Sequence, residues 1–296
     1  MDRRIRLIVN PSSGGGRALQ RLPRVESALA LLRLPYETHR TTSLDHGREL
    51  ALEGAAAGET IVTLSGDGLL GAVAGALARC DHPAVLGVLP GGRGNDFARV
   101  IGVPLDDLDA ACAILRDGVE RPLDVGCLGE DRPFIGIASL GFDSDANRIA
   151  NEAPSRLGNL VYAYGALRAL AAWKPATFEL SLDGAPPRSY TGYSVAFANS
   201  KAYGGGMYLA PGAELDDGLL DVVVTRHVSK LRFLSQLPKV FKGTHVDNPE
   251  VEVLRARTVE VSADRPFQIY ADGDPIGELP ARVTVLPRAV RVVCPR

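Results

Sequence analysis

Three times in its first hundred residues the chain runs an apolar segment directly into a glycine-rich loop and then into a helical pattern. IRLIV (5–9) leads into NPSSGGG, TIVTL (60–64) into SGDG, and AVLGVLP (84–90) into GGRGND. Continuous apolar runs of this length are typical of strands buried on both faces. The intervening RALQRLPRVESALALL (17–32), HGRELALEGAAA (46–57) and DLDAACAILRDG (107–118) carry helical periodicity, the first with a new start near Pro23, and YETHRT (36–41) reads as a further strand. Strand–helix alternation predicts a parallel sheet covered by helices, with all three loops on the edge formed by the carboxyl ends of its strands, where ligands of such sheets bind.

Beyond Pro122 the texture changes. Runs such as PFIGIASL, ATFELSLDG, SYTGYSVAFAN, LLDVVVT, TVEVSA and FQIYADGD are short, rich in β-branched and aromatic residues, and separated by turn signals. They predict a mostly antiparallel β-sandwich, interrupted by helical stretches over about 145–173 and 229–242. The expected division is an α/β domain over 1–122 and an all-β sandwich domain over 123–287.

Composition narrows the function classes. With 33 Lys and Arg against 35 Asp and Glu, the chain has no global basic field for nucleic acid. Cys80, Cys112, Cys127 and Cys294 form no C-x-x-C pair and no zinc spacing, so reduced thiols in a cytoplasmic protein are expected. No apolar run is long enough to span a bilayer. Any lipid contact is therefore expected from the surface, as a peripheral protein at the inner face of the membrane.

The glycine loops suggest phosphate. Amides at a helix N-terminus lack intrahelical partners and the helix dipole adds positive charge, so a phosphate fits there. None of the three loops is a dinucleotide fingerprint or a Walker A loop. Asp67, between Gly66 and Gly68, is the informative residue. A carboxylate beside phosphates repels them unless Mg²⁺ intervenes. The structural alternative is that Asp67 caps the helix that follows.

The motifs resemble the diacylglycerol kinase catalytic-domain family, soluble bacterial lipid kinases related to sphingosine kinases and, more distantly, to NAD kinases. The resemblance rests on VNPSSGGGRA (9–18), SGDGLL (65–70), LPGGRGNDFAR (89–99), PLDVG (122–126), SLGFDSD (139–145), NSKAYGGGMYLAPGAELDDGLLDVV (199–223) and ADGDPI (271–276), in that order. It implies a two-domain fold with the active site in the cleft between domains, a last strand (about 288–296) that may return to the first domain, and transfer of the γ-phosphoryl group of ATP, with Mg²⁺, to a lipid hydroxyl. Diacylglycerol is the default acceptor. By position, the resemblance sets Asn10, Thr41, Gly66, Asp67, Gly68, Gly92, Arg93 and Asn95 around ATP. Asp67 faces the catalytic Mg²⁺, with Asp124 in the same water-linked network; Asp274 matches the general base, with Asp272 close by. PGAELDDGLLD resembles a second Mg²⁺ site, using a side-chain oxygen of Asp217 and the carbonyls of Glu214 and Leu219.

Leu69, Ala72 and Arg93 depart from the family pattern, which has Thr, Glu and Thr there. Arg93 is expected to clamp ATP phosphates with its guanidinium fork, the alternative being a solvated surface Arg. These departures keep open a nucleotide-binding regulatory protein impaired in catalysis. Kinases of a sphingoid base, of phosphatidylglycerol or of a soluble substrate such as NAD are further alternatives. Between Asp221 and Asp247 no acid occurs, while Arg226, Lys230, Arg232, Lys239 and Lys242 alternate with apolar residues. That stretch is either a membrane-surface helix or an ordinary packed one. The helical region from NRIANEA to YAYGALRALAAW is either a lining for acyl chains or core. Oligomeric state is not legible in the sequence, a homodimer being one option.

Overall fold

The computed structural model describes residues 4–152 and 160–296. The N-terminal half alternates as expected: β1 (Ile5–Val9), α1 (Arg17–Leu31), β2 (Tyr36–Arg40), α2 (Leu44–Ala56), β3 (Thr60–Ser65), α3 (Asp67–Leu77), β4 (Val85–Pro90), α4 (Asp96–Val100) and α5 (Leu108–Asp117). Strands β2, β1, β3 and β4 lie side by side in parallel, Ile5 opposite Tyr36 and Thr60, and Thr60 opposite Val85. All six residues of β3 are buried, which explains why its sequence shows no alternation. Helix α1 runs through Pro23 without the new start expected there. The apolar stripe Ala18, Leu22, Val25, Ala28 and Leu29 stays against the sheet, and this packing outweighs the hydrogen bond that proline removes.

The second half contributes β5 (Val119–Leu128), β6 (Arg132–Phe134), β7 (Ile137–Gly141), α6 (Phe142–Glu152), α7 (Leu160–Ala172), β8 (Ala176–Leu182), β9 (Arg188–Ala198), β10 (Leu220–Arg226), α8 (Lys230–Val240), β11 (Val251–Ala256), β12 (Thr258–Ala263), β13 (Gln268–Ala271), β14 (Asp274–Glu278) and β15 (Ala281–Cys294). The helical stretch expected over 145–173 is two helices, α6 and α7, and its part over 153–159 lies outside the described residues. Among the described residues the strands of both halves join one sheet, ordered β14-β13-β7-β9-β8-β12-β15-β4-β3-β1-β2 along its main path.

The join is β15. Its first part pairs antiparallel with β12, nearly its whole length pairs with β5, and Arg291 and Val292 pair in parallel with Val85 and Leu86 of β4. The register slips between Leu286 and Val290, an irregularity that lets one strand serve two differently oriented layers. Two separate cores flank this join. One lies under the parallel strands and includes Ile61, Leu64, Leu86 and Phe97. The other lies inside the antiparallel part, where Phe142, Trp173, Tyr193 and Phe233 interlock.

Helix α8 shows how the basic stretch is used. Phe233 is buried and stacks on Tyr193 with ring centroids 4.1 Å apart. Arg232 pairs with Glu250 at 2.8 Å, Arg226 pairs with Glu252, and Lys239 donates to Asn248 at 2.9 Å. Leu231, on the opposite side, is 81% exposed. Cys112, Cys127 and Cys294 are buried free thiols and Cys80 is half-buried, as expected of reduced cysteines that pack as small hydrophobes. Among the described residues no helix is long and apolar enough to cross a membrane.

Candidate active site

The three glycine loops meet at the carboxyl edge of the parallel strands. The Gly66 amide donates to Ser13 Oγ at 2.8 Å, the Gly91 amide to Ser65 O at 2.8 Å, and Arg17 Nη1 to Gly92 O at 3.1 Å. Glycine is required by contact here. A Cβ on Gly92 would lie 2.4 Å from Gly66 Cα, and one on Gly14 would lie 2.8 Å from Gly91 O. Asn95 takes the left-handed conformation (φ 52°) and its side chain closes the loop on itself, accepting from the Gly92 amide at 2.7 Å and donating to Gly92 O at 3.1 Å. Asn10 folds its own loop through Oδ1, which accepts from the Ser12 amide at 3.1 Å and Ser12 Oγ at 2.8 Å. Thr41, at the tip of β2, is buried and its amide donates to Val9 O at 2.8 Å. Arg93 is exposed, with Nη2 3.8 Å from where a Gly15 Cβ would stand.

Asp67 is the first residue of α3, yet no side-chain bond caps that helix. Its Oδ2 and Oδ1 accept instead from the amides of Asp96 and Phe97, at 3.1 and 3.0 Å, and so cap the one-turn helix α4. Burial raises its pKa, against the pull of those amides. Beside it stands Asp96, which the sequence reading passed over although it closes the GGRGND loop. Asp96 is 6% exposed; Oδ2 accepts from the Gly205 amide at 2.8 Å, and Oδ1 is buried without a hydrogen-bond partner. Burial, reinforced by the charge of Asp67, pushes Asp96 up to about 6. The available signal was its place one residue after Asn95, at the head of a helix. The sequence reading also missed Asp143, inside SLGFDSD, which is buried, bonded to Ser194 and Tyr203, and raised to about 6 by burial.

The turn between β13 and β14 brings two further acids to α3. Asp272, in the left-handed conformation (φ 53°), accepts from the amides of Ile135 and Gly136, each at 3.0 Å. Burial pushes it up to about 7, and Asp67 and Asp274 add like-charge repulsion. Asp274 is raised by its enclosure and pulled back by Arg48. The helix admits this turn because it presents glycine. A Cβ on Gly68 would lie 2.9 Å from Asp274 Oδ2, and one on Gly71 would lie 2.4 Å from Asp272 Oδ2. Leu69 points the other way into the core, where a Cβ on Gly47 would lie 2.4 Å from its Cδ1, and Ala72 is also buried.

Asp124 and the 214–219 loop form a different cluster. Asp124 is fully buried; its carboxylate accepts from the amides of Gly218 at 2.6 Å and Arg288 at 2.7 Å, while its own amide donates to Leu215 O at 2.6 Å. It thus ties β5 to that loop and to the irregular part of β15, and its direct partners do not include Asp67. In the same loop Asp217 pairs with Arg255 and accepts from the Leu219 amide at 2.9 Å, so both of its oxygens have partners. Glu214 is exposed. Of the remaining candidate regions, α7 buries Ala169 and Leu170 and exposes Tyr164 and Leu167.

Residues 4–128 match the diacylglycerol kinase catalytic domain, and residues 136–294 match the YegS C-terminal NAD kinase beta sandwich-like domain. A diacylglycerol kinase of Mycobacterium tuberculosis is 33% identical over 306 residues, covering 99% of this chain and 96% of the relative. A probable lipid kinase YegS-like protein of Pseudomonas fluorescens is 36% identical over 253 residues, covering 84% of this chain and 82% of the relative. Among solved structures, a putative diacylglycerol kinase from Bacillus anthracis superposes with a TM-score of 0.83 at 22% identity, covering 98% of this chain and 95% of that one. An NAD kinase from Archaeoglobus fulgidus, solved in complex with ATP, has a TM-score of 0.51 at 15% identity, with 98% and 93% coverage. The two structural likenesses carry the two-domain fold.

Proposed function

The chain belongs to the diacylglycerol kinase-like family of lipid kinases, and from that premise we propose that it transfers the γ-phosphoryl group of ATP to the hydroxyl of diacylglycerol, giving phosphatidic acid. The observation that carries this reading is the approach of the Asp272–Asp274 turn to the glycine face of α3, the helix that Asp67 begins. One carboxylate pair lies by the phosphate-type loops and another acid projects at the same helix end.

The chemistry assigned to each part follows from its surroundings. The interlocked loops at 10–16, 66–68 and 91–95 spend most of their amides on one another, and the exposed Arg93 supplies the charge that meets the triphosphate. Asp67 and Asp96 fit a divalent cation, because two buried carboxylates adjoin and Asp96 Oδ1 has no hydrogen bond, only Arg99 Nε at 3.9 Å. Among the described residues no group of three His, Cys, Asp or Glu is arranged for a metal, but Mg²⁺ usually takes one or two carboxylates and fills its shell with water and phosphate oxygens. When bound, Mg²⁺ supplies neutralisation of phosphate charge. Asp217, with both oxygens occupied, does not fit a second ion as arranged, and no step depends on it.

Asp274 is the general base. It takes the acceptor hydroxyl proton as the new P–O bond forms and the bond to the leaving ADP oxygen breaks. Asp272 positions that base: its bonds to the 135 and 136 amides fix the turn. The domains act as a nucleotide unit over 1–122, joined by the strand over 288–296, and an acceptor unit over 123–287. Incubation of the purified protein with Mg-ATP and extracted lipids, with products identified by mass, tests the proposal. Phosphatidic acid is the expected product. ATP binding without a phosphorylated lipid would refute it and favour a nucleotide-binding regulator.

A further inference from the structure

Three neighbouring strands, β9, β7 and β13, end together behind the Asp272 turn. Ala198 of β9 lies opposite Ile137 of β7, and Ala138 of β7 lies opposite Ala271 of β13. Just beyond these pairs stand Asn199, the peptide group between Ile135 and Gly136, and Asp272. That peptide group is gripped on both sides. Its N–H, that of Gly136, donates to Asp272 Oδ1 at 3.0 Å, beside the Ile135 amide on Oδ2. Its C=O, that of Ile135, accepts from Asn199 Nδ2 at 2.9 Å. The same Nδ2 donates to Asp124 O at 3.0 Å, and the backbone amides of Asn199 and Ser200 both reach Gly136 O at 3.1 Å.

Asn199 is fully buried. A side-chain amide suits the place because its two N–H donors serve two carbonyls. A hydroxyl has one donor, and a cation would bring an unpaired charge into the interior. Turning the side chain over would set Oδ1 against both carbonyls, so the bonds fix its orientation. Oδ1 is left buried without a hydrogen-bond partner, a penalty the fold accepts in order to place the two donors. A hydrogen bond to a carbonyl polarises the N–H of the same peptide group. Asn199 therefore strengthens the bond that Gly136 gives to Asp272 and fixes its direction. It also links the Asp124 cluster to the base turn through protein atoms alone.

We propose that Asn199 is a positioning residue for the general base, holding the peptide group on which the Asp272–Asp274 turn is set. Buried behind the turn, it meets no reactant and acts through Asp272. This inference rests on the kinase reading and adds to it a residue outside the cleft.

The test is a double-mutant cycle on the full chain, with Mg-ATP and dioleoylglycerol in detergent micelles. Asn199→Asp keeps the shape and replaces the NH₂ group by oxygen; Asp272→Asn alters the turn from the other side. In Asn199→Asp, kcat should fall about 10²-fold, the scale of a misplaced catalytic group, with the KM for ATP unchanged. In the Asp272→Asn background the same substitution should lower kcat by less than about threefold, because residues acting in one network are not additive. An unchanged kcat, or a matching rise in the KM for ATP, overturns the inference. So does an equal fall in both backgrounds, which would mark a structural role alone. Amide hydrogen exchange reads the contact without turnover. Ile135 and Gly136 should exchange about tenfold faster in Asn199→Asp, the scale of one lost hydrogen bond, while the amides of β3 keep wild-type rates. Unaltered exchange at 135–136, or faster exchange throughout the chain, also overturns the inference. Where Asn199→Asp fails to fold, Asn199→Ser, which keeps one donor, carries the same cycle and the same exchange measurement. If the wild type leaves dioleoylglycerol unphosphorylated, the kinase reading fails, and exchange alone decides whether Asn199 holds the turn.

Discussion

Replacing Gly71 by alanine tests the contact that assembles the candidate site. The new methyl would stand 2.4 Å from Asp272 Oδ2 and 3.2 Å from its Cγ. Asp272 cannot turn aside freely, because its carboxylate holds the amides of Ile135 and Gly136 at 3.0 Å each. Hydrogen bonds to a charged acceptor are worth about 1.5–3 kcal/mol each, and water recovers part of that at a half-buried site. Against the loss stands the gain of alanine over glycine inside a helix, about 1 kcal/mol. The net expectation is a destabilisation of about 1–3 kcal/mol, read by urea denaturation, together with loss of turnover. Gly68→Ala is the matched control. Its methyl would stand 2.9 Å from Asp274 Oδ2, at the far end of an exposed side chain that can swing away. It should leave stability unchanged or raise it by up to about 1 kcal/mol, while turnover falls because the base is displaced. A Gly71→Ala protein at least as stable as the wild type would show that the turn does not press on α3, and the assembly argued for the site would be wrong.

Asp274→Asn should lower kcat by about 10²–10⁴-fold with the KM for ATP little changed; near-normal turnover would remove Asp274 from the base role. Arg93→Thr should raise the KM for ATP, and an unchanged value would mean that Arg93 is only a solvated loop residue. Acidification should stabilise the metal-free protein. Asp96 and Asp272 are pushed from 3.8 to about 6 and about 7, so between about pH 4 and 7 the folded chain holds protons that the unfolded chain has released. That contribution is fully present at the acid end and is lost as the pH rises through the window. In EDTA the melting temperature should therefore be higher at pH 5.5 than at pH 7.5, and Mg²⁺ should narrow the difference. A melting temperature that rises with pH in EDTA would contradict the crowding of these acids.

Local pattern was enough for the elements and for the edge where the glycine loops meet. A strand such as TIVTL, buried on both faces, must be apolar throughout, and glycines between strand and helix announce a close approach before the partner is known. Asp67 could be singled out for the same reason, lying between two glycines in a turn, whereas Asp272 and Asp274 were marked only by the family resemblance of ADGDPI. What each acid does depends on contacts between segments far apart in the chain. Asp67 caps a helix some thirty residues on, and Asp124 spends its carboxylate on Gly218 and Arg288. Asp96 becomes a partner of Asp67 only when the loops interlock. Pro23 predicted a break that core packing overrode, and β15 joins both halves because it pairs with β4, β5 and β12 at once. Periodicity and turn chemistry are properties of neighbouring residues, so the sequence alone determined them. Burial, like-charge repulsion and the partner of each carboxylate arise from pairs brought together by folding, and only the tertiary structure decided those.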